Sequence, residues 1–217
     1  MKTIKLPHIM SKENNDLLCK YRREQSSAIR FSFNRLAENK TDKEIRSLIK
    51  SLNYNHIDSW LSVCSILKAK QFYSTAKQQK QNKVIFARSS FIELNAKKIT
   101  KEEFKQKRLF NLCIDGEALY KGNRKVNLNI EKNNSITIKL SKKDHIEIKL
   151  PKLKKSFKRQ LLLLLEKLAN NKIIPFKIEL NENFIYFSFE SNEIQRKKNM
   201  LKKPRQKRKL EKKLMMS

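Results

Sequence analysis

The chain has 217 residues, 39% of them hydrophobic and 33% charged, and a formal net charge of +30. That length fits one large domain or two small ones. So large a positive charge points to a polyanionic partner, nucleic acid before any other, and away from a small-molecule enzyme. No apolar run approaches the roughly 20 residues that span a bilayer, and the N-terminus has no secretory h-region, so a cytoplasmic protein with no membrane partner is expected.

Thr3 to Leu6 reads as a short strand closed by Pro7. Ser11 is an N-cap with Glu13 in the first turn, and the helix it opens is expected to reach about Asn39. Ile29, Phe33 and Leu36 share one face of it, with Arg22, Arg23, Arg30 and Arg35 around them. Thr41 to Glu44 is a capping box, and Ile45, Leu48, Ile49 and Leu52 follow at helical spacing. A third helix, from about His56 to Gln81, turns Ile57, Trp60, Leu61, Cys64 and Leu67 inward. Thr100 to Glu103 is a second capping box, opening a short polar helix through Lys107.

After Leu109 the period changes from 3.6 to 2. Val126, Leu128 and Ile130, then Ile136, Ile138 and Leu140, then Ile146, Ile148 and Leu150 each alternate with polar residues across polar turns, which predicts an antiparallel meander with one buried face. An amphipathic helix is expected next, with Phe157, Leu161, Leu164, Leu165 and Leu168 inward. Two strands return, Phe176 to Leu180 and Ile185 to Phe189, joined at Asn181-Glu182-Asn183. The class is α+β, and about six strands suffice to close a small antiparallel β-barrel around an inserted helical bundle. A basic tail follows Glu190, dense in Lys and Arg and interrupted by Pro204, expected to be at most partly helical when free.

Few residues suggest catalysis. Cys19, Cys64 and Cys113 lie tens of residues apart with no CxxC pair and read as small buried hydrophobes in a reducing compartment. Asp115 and Glu117 flank Gly116 in a turn-like stretch, and Asp144 precedes His145 in a hairpin, positions typical of turns. His8, His56 and His145 have no partner at a diagnostic spacing, so neither a metal nor a cofactor is expected. The two glycines of the chain, Gly116 and Gly122, bracket a segment whose backbone needs either unusual φ or close approach. Arg124 and Lys125 follow the Gly122-Asn123 turn where it feeds a strand, well placed at a barrel rim to grip a phosphate backbone. The residues expected to touch nucleic acid are Arg22, Arg23 and Arg30, then Lys121, Asn123, Arg124 and Lys125, then Lys155, Lys158 and Arg159, and in the tail Arg205, Lys207 and Arg208.

Several stretches, in order, resemble a known family: Ile29 to Leu36, Ile57 to Trp60, Lys83 to Phe86, Ile99 to Arg108, Gly116 to Lys125 and Lys143 to Pro151. Together they look like the N-terminal half of TnpB-type proteins, the OrfB products of insertion sequences related to compact type V CRISPR effectors. The resemblance implies a wedge domain, an oligonucleotide-binding-like barrel, formed by residues 1–10 and 109–190, with a helical recognition domain over 11–108 and the tail over 191–217. It also implies that these domains hold a guide RNA and its duplex with target DNA. The family's RuvC-like nuclease, with its carboxylate metal site, has no counterpart after Phe189, and Ala87-Arg88 stand where the family has a glycine pair. The expected function is therefore a non-catalytic protein that holds a structured RNA, with target DNA as a second ligand. The alternatives are the RNA-binding subunit of a split nuclease whose RuvC half is a separate chain, and a degenerate transposon-associated fragment.

Overall fold

Among the described residues, seven antiparallel strands and five helices follow one another in a simple order, with all five helices between the first strand and the other six. The computed structural model describes residues 2–81, 84–117, 122–129, 134–151 and 176–189. Strand β1 (Lys2–Pro7) is followed by the helices α1 (Lys12–Ala37), α2 (Asp42–Ser51), α3 (Ser59–Gln78), α4 (Arg88–Asn95) and α5 (Lys101–Lys107). The strands β2 (Leu112–Ile114), β3 (Val126–Asn129), β4 (Ser135–Lys139), β5 (His145–Lys149), β6 (Phe176–Leu180) and β7 (Phe184–Phe189) complete the order. The expected amphipathic helix after Leu150 and the basic tail lie outside the described residues, as do Lys121, Lys155, Lys158, Arg159, Arg205, Lys207 and Arg208.

The helix starts follow from their caps. Ser11 accepts from the Asn14 amide at 3.2 Å, Asp58 from the Leu61 amide at 2.8 Å, and Thr41 and Thr100 each close a reciprocal capping box with a Glu three residues on. Their inward faces are narrower than periodicity suggests. In α2 only Ile45 and Ile49 are buried, while Leu52 remains 45% exposed and Leu48 also lies outside. In α3 the stripe rotates so that Ile66 and Ala69 go inward and Leu67 out.

The strands form two sheets rather than the closed barrel expected. One has the order β1-β7-β6-β2, the other β3-β4-β5. A single antiparallel pair, Ile9 with Lys149, joins the chain just past β1 to the edge of the second sheet, with backbone hydrogen bonds of 2.8 and 2.9 Å. Closure fails among the described strands because β3 and β2 find no ladder partner on their outer sides. The two sheets nevertheless share one core. Ile136, Ile138, Ile146 and Ile148 from the meander meet Leu112, Ile114, Ile178, Ile185 and Phe187 from the other sheet. The inserted helices enter that same core through Leu18, Tyr21 and Leu61, so the helical segment is anchored on the strands.

Gly116 explains itself by close approach. A Cβ there would collide with the carbonyl oxygens of Gly122 and Phe176, and would lie 2.7 Å from the Phe176 nitrogen. Gly122 takes φ 86°, and its carbonyl accepts from the Phe176 amide at 3.1 Å. Both readings of the glycine pair, close approach and positive φ, therefore apply, one to each residue. Ala87 holds the left-handed conformation (φ 58°, ψ 45°) just before α4, in place of a glycine.

Candidate nucleic-acid interface

The described residues at the two ends of the Gly116 to Lys125 segment are held mainly from inside. Asn123 is buried, its amide donating to the carbonyls of Ile114 (3.3 Å) and Phe176 (3.1 Å) and its oxygen accepting from the Lys125 amide at 3.1 Å. Lys125 is 7% exposed and donates to Asp58 at 2.6 Å and to the Leu140 carbonyl at 2.5 Å. The expectation that Lys125 and Asn123 face a phosphate backbone is corrected by this geometry, because the turn directs both inward, Asn123 onto the carbonyls of Ile114 and Phe176 and Lys125 onto Asp58 and Leu140. Arg22 is corrected likewise. It is 6% exposed, its Nε donates to the Phe110 carbonyl at 2.9 Å, and its guanidinium pairs with Glu182.

Arg124 points outward. Its guanidinium carbon lies 3.7 Å from the centre of the Trp60 ring, and a nitrogen is 3.6 Å from Glu117. The indole is itself fixed, donating to the Asp115 carbonyl at 3.2 Å. Arg124 forms one wall of a cleft of about 410 Å³ that runs along the outward face of β3, β4 and β5 with Asn127, Thr137, Lys139, Lys142 and His145. The strand register sets this face: Ile136, Ile138, Ile146 and Ile148 go to the core, so Lys139 stands opposite His145 on the outside. Asp144 is the one carboxylate lining the cleft, and it is engaged, accepting from the Tyr21 hydroxyl at 2.7 Å and from Ser141 at 3.2 Å. Burial pushes the Tyr21 phenol up to about 12, so this hydroxyl stays a donor. Among the described residues no carboxylate lies within ion-pair distance of Lys139 or Lys142.

Arg23 and Arg30 lie elsewhere, on α1 seven residues apart and hence on one helical face. They line a second cleft of about 410 Å³ with Phe104, Lys105 and Arg108 of α5 and its C-cap. Arg30 reaches across to donate to the Arg108 carbonyl at 3.3 Å. Arg108, Phe104 and the lysines Lys139 and Lys142 were not among the expected contacts. For Arg108 the available signal was its place in the last turn of a capped helix beside Lys105 and Lys107; its meeting with Arg30 is purely tertiary.

The buried polar groups among the described residues are engaged mostly with one another and with the backbone. Cys64 and Cys113 are buried with their thiols pushed up by burial, Cys113 to about 12, which leaves them protonated and inert. Cys19 is half-buried rather than buried, with its sulfur 3.9 Å from Glu182. Burial also raises the Asp115 carboxyl, which accepts from the Cys113 thiol at 3.7 Å. Glu179 is bracketed by Lys68 at 2.7 Å and Lys177 at 3.0 Å. His56 does have a partner that spacing hid: Glu24 accepts from its backbone amide at 2.6 Å and lies 2.8 Å from its ring nitrogen. Among the described residues no three His, Cys, Asp or Glu side chains gather as a metal site, and no helix is long and apolar enough to cross a membrane.

The model of one protein family, described as the SSO2105 N-terminal domain, matches residues 3–200, so the chain belongs to that family. The description names no activity, ligand or partner. No curated protein and no solved structure matches the chain.

Proposed function

We propose that this member of the SSO2105 N-terminal domain family is a nucleic-acid-binding protein without catalysis of its own, which holds a structured RNA. The observation that carries this reading is the cleft on the three-stranded sheet. Lys139 faces outward at the end of β4, Lys142 and Arg124 stand in the adjoining turns, and the cleft's one carboxylate is turned toward Tyr21. A net charge of +30 supplies the long-range field that concentrates such a partner. Point charges on a sheet face read a backbone and not bases, so the RNA is held through its phosphates and shape. The absence of catalysis is supported by where the central acids go: Asp58 to Lys125, Asp144 to Tyr21, Glu179 to two lysines.

The resemblance to TnpB-type proteins extends the proposal to a guide-type RNA, with target DNA and a separate RuvC-containing chain as its partners. The element order supports it: one strand, five helices, then the remaining strands, as in a wedge domain with an inserted recognition domain.

The test is the salt dependence of binding to a hairpin RNA. Replacing Lys139 and Lys142 together with Ala should weaken binding and flatten the log–log salt slope by roughly one unit per lost contact. Both side chains are exposed, so stability should shift by no more than about 0.5 kcal/mol. An unchanged affinity and slope in a folded double variant would remove the sheet cleft from the interface.

A further inference from the structure

Arg30 and Arg108 are drawn together by the fold with no acid between them. Arg30 projects from α1, Arg108 caps α5, and a 3.3 Å hydrogen bond from the Arg30 guanidinium to the Arg108 carbonyl fixes their approach. Among the described residues no carboxylate lies within ion-pair distance of either guanidinium; Glu102 lines the neighbouring cleft and pairs with neither. The Arg108 Nε is shielded from solvent and has no hydrogen-bond partner. Burial, and then the charge of Arg108, lower the Arg30 guanidinium to about 10. Two half-buried like charges destabilise each other, and an oxyanion that hydrogen-bonds to both guanidiniums removes the repulsion.

The surroundings say which oxyanion. The two arginines and Phe104 are shared by two adjoining clefts of about 300 and 410 Å³, at the lower end of the roughly 300–1,000 Å³ of small-ligand pockets. The smaller cleft is walled by Ile85, Phe86, Phe91 and Phe104. Phe91 is 39% exposed, and its ring lies 6.1 Å from that of Phe104. Phe104 in turn lies under the Arg108 guanidinium at 5.8 Å. The exposed Phe91 ring and the half-buried Phe104 ring, next to a paired-arginine anion site, suit a phosphate that carries a free base. A duplex, whose base faces are hidden, would leave those rings unused.

We infer that the Arg30–Arg108 groove binds single-stranded nucleic acid, clamping one phosphate between the guanidiniums and stacking the adjoining base on Phe104 and Phe91. The inference takes its class of polymer from the nucleic-acid reading above, but its site is separate from the sheet cleft. Lys105 and Arg23 extend the same groove and offer the next phosphate a cationic neighbour.

The experiment measures binding of a short oligothymidylate, the same oligomer with abasic sugars, inorganic phosphate and a hairpin RNA to the full chain. Phe104→Leu should weaken oligothymidylate about five- to hundredfold, the range for loss of one stacked base, and leave the abasic oligomer unchanged. Arg108→Gln should weaken both, and Lys139→Ala with Lys142→Ala should weaken mainly the hairpin. None of the α5 residues is buried, so Phe104→Leu should keep the fold. Phe91→Leu gives the same readout should Phe104→Leu prove unstable. Hairpin binding that persists while oligothymidylate is indifferent to these variants overturns the groove alone. Oligothymidylate binding that depends on them without any hairpin binding overturns the structured-RNA reading and supports the groove. No binding of any polymer overturns both, and competition by inorganic phosphate equal to that of the oligomer reduces the site to a bare anion site and overturns the stacking.

Discussion

The Lys125 ammonium rests 2.6 Å from the Asp58 carboxylate, the same carboxylate that caps α3 through the Leu61 amide. One acid thus fixes a helix start and neutralises a lysine delivered by the far side of the core. Lys125→Met keeps the packing of the stem and removes the charge. It should cost about 1–3 kcal/mol, below the full cost of breaking a buried pair because the Asp58 side chain is 39% exposed and can rehydrate. The salt slope for RNA binding should not change. Denaturant melts and salt titrations of the same variant check both halves. A normal melt with a flattened slope would return Lys125 to the interface.

Gly116→Ala should be far more damaging than its size suggests. The added methyl meets backbone atoms of Gly122 and Phe176, which cannot swing aside as a side chain can. We expect a loss of about 3 kcal/mol or more, or no soluble protein, whereas Ser51→Ala at an exposed helical site should be nearly neutral. Equal melting curves for Gly116→Ala and the wild type would show that the three segments are not in contact.

Ala87→Gly should stabilise. An alanine in the left-handed region costs roughly 1–2 kcal/mol, and after the larger unfolded-state entropy of glycine a gain of about 0.5–1 kcal/mol remains. The gain is read in a urea midpoint at unchanged m-value. A loss of stability would mean that the turn before α4 is not left-handed.

His8 should make stability fall in mild acid. Its Nε2 donates to the Asn181 carbonyl at 2.9 Å, its Nδ1 is buried without a partner, and burial lowers it below the ordinary 6.5. The unfolded chain therefore takes up this proton before the folded one. The contribution of His8 is complete above about pH 6.5 and is lost as pH falls through its folded-state value. Melting temperatures between about pH 7 and pH 5 should drop for the wild type and drop less for His8→Gln, which keeps an amide donor for Asn181 but cannot titrate. Parallel pH profiles for the two proteins would exclude His8 as the source.

Much of this architecture was legible from local chemistry. Ser11, Thr41 and Thr100 announced their helices because a cap acts within three residues, and the meander announced itself because each strand has one wet face. α4 was missed since it opens on Ala87 with no side-chain cap and buries no residue that could show a period. β2 was missed for the opposite reason: Leu112, Cys113 and Ile114 are all buried, so nothing alternates. The interface was harder. Whether a lysine after a turn faces water or an aspartate 67 positions earlier is decided by packing, and so Lys125 and Arg22 read as exposed when they are not. Arg30 was legible as a cation, but its neighbour Arg108 was not, because 78 positions separate them.

The pairing of β1 with β7 has a bearing on how the chain is made. Leu6 lies opposite Ile185, and the Thr3 hydroxyl meets that of Ser188 at 3.0 Å. Before β7 is made, β1 has no ladder partner among the described residues, and the Ile9–Lys149 seam beside it itself waits for β5. The helices can form early from their own caps and bring Leu18, Tyr21 and Leu61 toward Leu6, but the ladder edge of β1 has no strand beside it until β7 emerges. Synthesis therefore passes through a long interval with an open sheet edge, the kind of edge that can pair with a strand of another copy.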